Sequence, residues 1–273
     1  MAINKNKIFY WIKIALLIYA SIGIALFYLQ DKFLFHPQKL SAGYQFKFDG
    51  KFDEMNVPFN EEDTMNLIKF FPENEPSRGV VIYYHGNMKN VEHYAAYVKP
   101  FTKNGYEVWM EDYPGFGKST GEITEKKLYD QAFQVKKMAD AKFGTDSIII
   151  YGKSLGTGIA ANVASRSKSK MLMLETPYYS IPSLFSSYAF IYPNSIMSNY
   201  KIPTHLFLEE VADPIIIFHG TKDGVIPLRC AKKLIPVLKN TDQFIIVDGA
   251  THQDINGKSI YYNAIDSLLR YKN

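Results

Sequence analysis

A largely apolar run extends from residue 8 to residue 29 with Lys13 as its one charge. That is about the length needed to cross a hydrocarbon core of roughly 30 Å. The remaining chain carries shorter apolar runs. Residues 79–84 (GVVIYY), 107–111, 147–151, 170–174, 213–218 and 243–247 are rich in β-branched and aromatic side chains, the pattern of strands buried on both faces. Residues 91–103, 125–143, 225–238 and 259–271 read as the helices between them. In 125–143, Leu128, Ala132, Val135 and Ala139 fall on one face. Residues 42–72 alternate irregularly and suit antiparallel edge strands, and residues 72–77 form a turn. Strands separated by helices predict a mostly parallel sheet with helices on both faces. The rhythm fails once, between the strands ending near Leu174 and beginning near Pro214. Connections in such folds are usually about 2–6 residues. The insert at about 177–212 carries Tyr178, Tyr179, Phe185, Tyr188, Phe190, Tyr192 and Tyr200. It is expected to be either a lid or extra cover for the core.

The N-terminal run is longer than the usual apolar region of a cleaved signal peptide, roughly 7–15 residues, and no small-residue cleavage pattern ends it. Residues 1–30 are therefore expected to be an uncleaved signal anchor, with residues 31–273 as the folded domain. Lys13 can reach the headgroups. Tyr10 and Trp11 at one end and Phe27 and Tyr28 at the other suit the two interfaces, and Lys5 and Lys7 place the N-terminus in the cytoplasm and the domain on the far side. Residues 33–37 (FLFHP) are expected on the membrane surface or the domain edge. On this division residues 31–273 alone would be soluble and active.

Composition narrows the picture. Net charge is +4 without a basic block, so nucleic acid is not an expected partner. The single cysteine, Cys230, excludes an intrachain disulfide and a cysteine-based metal site, and reads as a buried small hydrophobe. An aromatic content of 15% suggests an apolar pocket or membrane proximity. No repeat or low-complexity tract is present, and nothing in the chain speaks to its oligomeric state.

The chemistry centres on Gly152-Lys153-Ser154-Leu155-Gly156, a G-x-S-x-G between a buried strand and a small-residue helix. Strand, tight turn and helix are what a nucleophile elbow requires. The serine sits on a strained turn where only glycine fits two positions before and after it. The helix N-terminus behind it faces developing negative charge. Such a turn can also be an ordinary strand–helix connection, so its partners decide. A serine hydroxyl needs a base, and the base an orienting acid. Open sheets of this kind present functional groups beyond the carboxyl ends of their strands. There stand Asp223, in HGTKDGVIP, and His252, in DGATH, giving the chain order Ser154, Asp223, His252. Glu175 is the best alternative acid. Asp248 and Asp254 are too near His252 in sequence to orient it easily. His36, His93, His205 and His219 read as surface or structural histidines. Asp112-Tyr113 is expected to cap a helix or fix its loop. No phosphate loop, metal cluster or cofactor motif is found.

These motifs, with FLFHP, the YHGN ending at Asn87, DYPGFGKSTG, ETPYYS and GATH, resemble the α/β-hydrolase superfamily, and most of all its small membrane-anchored abhydrolase-domain serine hydrolases. The resemblance covers residues 33–252. Met88 departs from it, standing where a small residue is usual. The resemblance implies the α/β-hydrolase fold with a short aromatic lid, and an oxyanion hole made by the backbone N–H groups of Leu155 and Asn87. It implies hydrolysis of a carboxylic ester or thioester. Amide or peptide cleavage, or a catalytically silent membrane-tethered binding module, are the alternatives. Tyr178, Phe185 and Phe190 of the insert are expected to bind a lipophilic acyl group.

Overall fold

The computed structural model describes residues 5–73 and 76–270. Part of the turn expected at 72–77, and the two ends of the chain, lie outside the described residues. Helix α1 (Lys5–Tyr28) leads into a short helix α2 (Gln30–Leu34). The sheet consists of β1 (Phe52–Pro58), β2 (Thr64–Phe70), β3 (Gly79–Tyr84), β4 (Tyr106–Glu111), β5 (Ile148–Lys153), β6 (Met171–Glu175), β7 (Ile215–Gly220) and β8 (Gln243–Val247). Their spatial order is β8-β7-β6-β5-β3-β4-β2-β1. The six strands from β3 to β8 run parallel, while β2 is antiparallel to both β4 and β1. The parallel interior follows from strands whose two faces are both apolar. In β5, Ile148 and Ile150 enter the core layer on one side of the sheet, and Ile149 and Tyr151 enter the layer on the other.

Helix α3 (Glu125–Asp140) buries Leu128, Ala132, Val135 and Ala139, and its N-cap Thr124 accepts a hydrogen bond from the Lys127 N–H. Two expected helices are interrupted. Residues 91–103 split into Val91–Tyr94, a 3-10 turn Ala95–Tyr97 and Lys99–Thr102, because Pro100 cannot donate to the carbonyl four residues earlier. Residues 225–238 are reduced to Leu228–Ala231 and a 3-10 segment Lys232–Val237 that contains Pro236. Cys230 is buried there, 3.0 Å from the Ser187 hydroxyl. Residues 44–48 form no strand. Tyr44, Phe46 and Phe48 make an aromatic stack against the sheet edge instead.

α1 is long and apolar enough to cross a membrane and has only Gly23 buried. Residue 30, the expected boundary, is the first residue of α2. Leu34 and Phe35 enter the core, and His36–Pro37 pairs in parallel with Met88–Lys89. The FLFHP motif is thus a seam between the helix and the domain. Phe33, His36 and Pro37 stay exposed.

Candidate active site

Ser154 lies between β5 and helix α4 (Leu155–Ser165) at φ 52°, ψ −119°. For a side chain bearing Cβ this is a strained backbone, stabilised only by the structure around it. The flanking glycines allow it. A Cβ on Gly152 would lie 2.7 Å from the Thr157 Cα, and one on Gly156 would lie 2.6 Å from the His85 carbonyl oxygen. The Ser154 N–H donates to the Glu175 carbonyl at 2.9 Å, and the Ser154 carbonyl accepts from the Thr157 N–H and hydroxyl. The turn is thereby held from both sides.

His252 and Asp223 arrive from the loops after β8 and β7. His252 Nε2 lies 3.0 Å from Ser154 Oγ, and its Nδ1 lies 2.8 Å from Asp223 Oδ2. The other carboxylate oxygen, Oδ1, accepts from the N–H groups of Val225 and Ile226 at 2.8 and 2.7 Å. Burial pushes the Asp223 carboxyl up, but the His252 bond and the two backbone donors outweigh it and hold it below its ordinary value. An ionised Asp223 requires the proton on Nδ1, which leaves the Nε2 lone pair facing the serine hydroxyl. Burial pushes His219 down to about 4, so it is a neutral neighbour 3.8 Å from Asp223.

Of the alternative acids, Glu175 is engaged elsewhere. It is fully buried and ion-paired with Lys153, and it accepts from the Tyr151 hydroxyl, which in turn meets the Tyr261 hydroxyl at 3.0 Å. Lys153 also reaches the His252 carbonyl at 3.4 Å. The pair therefore props the nucleophile strand against the histidine loop. Asp248 and Asp254 bond to Thr221 and Thr251. Asp112 caps the helix at Val91 by accepting its N–H at 2.7 Å. Removing one partner of a buried ion pair strands the other charge. Lys153→Met should therefore lower the stability of the full chain by about 3–5 kcal/mol, and Lys153→Met with Glu175→Leu should recover most of it. Thermal unfolding of the three proteins measures this. Equal melting temperatures for the single variant and the wild type would show that the pair is dispensable.

A cavity of about 470 Å³ adjoins Ser154, within the roughly 300–1,000 Å³ range of small-ligand pockets. Asn87 and Leu155 border it. Leu155 is the first residue of α4, so its N–H has no carbonyl within the helix. Asn87 is pinned by its carbonyl, which accepts from His36, and by its side-chain amide, which donates to the Leu34 carbonyl. The Met88 N–H donates to the Tyr94 hydroxyl. Tyr178 lines the cavity and donates to the Leu155 carbonyl at 3.2 Å, and Phe185 lines it too.

The expectation for Phe190 is overturned. It is 80% exposed and does not reach the cavity, because the insert turns away after its first helix, α5 (Ile181–Ser186). The sequence reading also missed part of the wall. Leu26, Phe27, Gln30 and Phe33, at the end of α1 and in α2, line the cavity, as do Leu184 and Met197. The apolar runs 24–29 and 33–35, on either side of Gln30-Asp31-Lys32, were the local signal, and the first reads equally well as membrane span.

An eight-stranded, mostly parallel sheet with a serine on a strained strand–helix turn defines an α/β-hydrolase. The chain is a member of that superfamily and resembles the abhydrolase-domain proteins. The family described as serine aminopeptidase, S33 matches residues 75–208. Human protein ABHD12B is 29% identical over 59% of this chain and 50% of its own length. Zebrafish (Danio rerio) lysophosphatidylserine lipase ABHD12 is 25% identical over 72% of this chain and 54% of its own. The chain thus spans about half the length of these two relatives. Among solved structures, a Pyrococcus furiosus esterase has a TM-score of 0.66 at 16% identity, covering 86% of this chain and 97% of its own. Est1E from Butyrivibrio proteoclasticus, solved with ferulic acid, has a TM-score of 0.65 at 20% identity, covering 79% and 97%.

Proposed function

We propose that this chain is a membrane-anchored serine hydrolase that cleaves a carboxylic ester or thioester of a lipophilic acyl group. The observation that carries this reading is the chain of contacts from Asp223 through His252 to Ser154 Oγ, which ends at an apolar cavity. In the reaction, His252 Nε2 takes the Ser154 proton as Oγ attacks the acyl carbon. The N–H groups of Leu155 and Asn87 receive the oxyanion, and His252 returns the proton to the leaving oxygen or sulfur. Water then repeats the sequence on the acyl-enzyme. Asp223 holds the imidazole tautomer and stabilises its cation. The names of similar proteins, a lipase and an esterase, support ester chemistry.

The aminopeptidase description of the matching family favours amide cleavage as a second reading. An aminopeptidase must also hold a substrate ammonium. Among the described residues, those lining this cavity include no carboxylate, so the ester reading is preferred. α1 provides the anchor, and Lys5 and Lys7 favour a cytoplasmic N-terminus.

A fluorophosphonate probe tests the proposal and separates it from a silent binding module. The full chain should be labelled, and Ser154→Ala should not. Labelling that survives Ser154→Ala, or no labelling at all, would sink the enzyme reading.

A further inference from the structure

Between Glu175 and Lys201 the insert contains no Asp, Glu, Lys or Arg. Its second half, from Ala189 onward, lies along α1. Tyr192 stacks on Tyr19, with centroids 4.6 Å apart and planes within 9°. The Tyr192 hydroxyl donates to the Tyr19 carbonyl at 3.1 Å, and the Tyr19 hydroxyl donates to the Ile191 carbonyl at 2.9 Å. Gly23 permits this approach, since a Cβ there would meet Tyr192 Cε1 at 3.1 Å. At the foot of the helix Gln30 is a clasp. Its amide nitrogen donates to the carbonyls of Phe27 and Met197, at 2.7 and 3.0 Å, and its oxygen accepts from the Asn199 N–H at 2.7 Å. The docked stretch, from Tyr19 to Gln30, covers about 16 Å of helix at 1.5 Å per residue.

Two further features fit immersion in lipid. The outward face is uncharged and its large side chains are apolar: Phe190 and Ile196 are each 80% exposed and Ile191 is exposed beside them, with Ser195 and Asn199 the small polar residues among them. Meanwhile three carbonyls of the same turn, those of Ala189, Ile191 and Tyr192, are satisfied internally. The Asn194 side-chain amide donates to the Ala189 and Tyr192 carbonyls, and the Tyr19 hydroxyl serves Ile191. Water would satisfy these carbonyls without help, but in hydrocarbon each needs a partner within the protein. The cavity beside Ser154 is walled by the same two elements, with Leu26 and Phe27 on one side and Phe185, Ala189 and Met197 on the other.

We infer that the insert sits in the bilayer against α1, and that the acyl chain of a membrane lipid reaches Ser154 sideways, between insert and helix. The inference rests on the hydrolase reading above. It makes α1 part of the binding site, and Gln30 a positioning residue that holds insert and helix together. It also revises the expectation that residues 31–273 alone carry full activity, because that cut removes Leu26, Phe27 and Gln30.

The test uses the full chain in phosphatidylcholine nanodiscs containing a fatty acid with a terminal diazirine. Irradiation should attach the label to residues 26–27 and to the insert around Phe185 and Met197, and Leu26→Trp, which fills the cavity from the α1 side, should suppress it. Phe190 lies outside the cavity and is exposed, so Phe190→Glu should fold normally. It should cut turnover of a long-chain ester carried in vesicles by about tenfold, equivalent to about 1.4 kcal/mol, and leave a water-soluble butyrate ester unchanged. Label confined to the outward face of α1, such as Leu16 and Leu17, would overturn the inference. So would loss of both activities together, or of neither, in Phe190→Glu. Cross-linking needs no turnover. Cavity labelling without any ester cleavage would therefore refute the hydrolase reading and still support the sideways path.

Discussion

Ser154→Ala and His252→Ala should each lower kcat for a soluble acyl ester by about 10⁶, and the double variant should be little worse, because residues that act as one unit are not additive. The argument starts from the 3.0 Å contact between His252 Nε2 and Ser154 Oγ. Without the imidazole, the serine hydroxyl keeps its proton and is a poor nucleophile. Without the serine, the imidazole has nothing to activate. What remains is the backbone: the Leu155 N–H at the start of α4 and the Asn87 turn do not depend on either side chain. They should leave a residual rate of about 10³–10⁴ over water. Steady-state hydrolysis of p-nitrophenyl butyrate by the detergent-solubilised full chain measures all three variants. Losses that multiply in the double variant would show that Ser154 and His252 act independently, and the proposed mechanism would fall.

Asp223→Asn should fold and still lose about 10⁴ in kcat. An asparagine oxygen at the Oδ1 position can still accept from the Val225 and Ile226 N–H groups. Its amide nitrogen then stands where Oδ2 was, 2.8 Å from His252 Nδ1. Two donors cannot face each other, so the ring proton moves to Nε2 and points at the serine that it should deprotonate. Glu175→Gln provides the contrast. Its carboxylate is tied to Lys153 and Tyr151, so the substitution should lower stability and leave the rate within a few-fold. The same ester assay, run beside thermal unfolding, separates the two effects. A rate lost in Glu175→Gln and kept in Asp223→Asn would reverse the assignment of the acid.

Much of this was legible in the amino-acid sequence, and for local reasons. β5 reads as a buried strand because both of its faces are apolar. The turn at Ser154 reads as strained because glycine stands on each side of it, where any Cβ would strike the neighbouring backbone. The order Ser154, Asp223, His252 follows from strand ends that the chain itself marks with HGTKDG and DGATH. Helix breaks were legible in principle too, since Pro100 and Pro236 interrupt hydrogen bonding wherever they fall.

Partnership was not legible. Asp223 and Glu175 both stand at carboxyl ends of strands, and both are acids near a nucleophile. What engages Glu175 is Lys153, which adjacent parallel strands bring opposite it. Phe190 and Phe185 belong to the same aromatic run. Phe185 lines the cavity and Phe190 faces outward, because the chain reverses between α5 and Asn194 to lie along α1. Apolar character at residues 24–29 and 33–35 states that these side chains avoid water. It does not state whether lipid, core or an acyl chain replaces it. Assigning Leu26 and Phe27 to the wall of the Ser154 cavity required contacts between segments more than 100 residues apart, and hydrophobic burial, being non-directional, carries no record of them in the order of the residues.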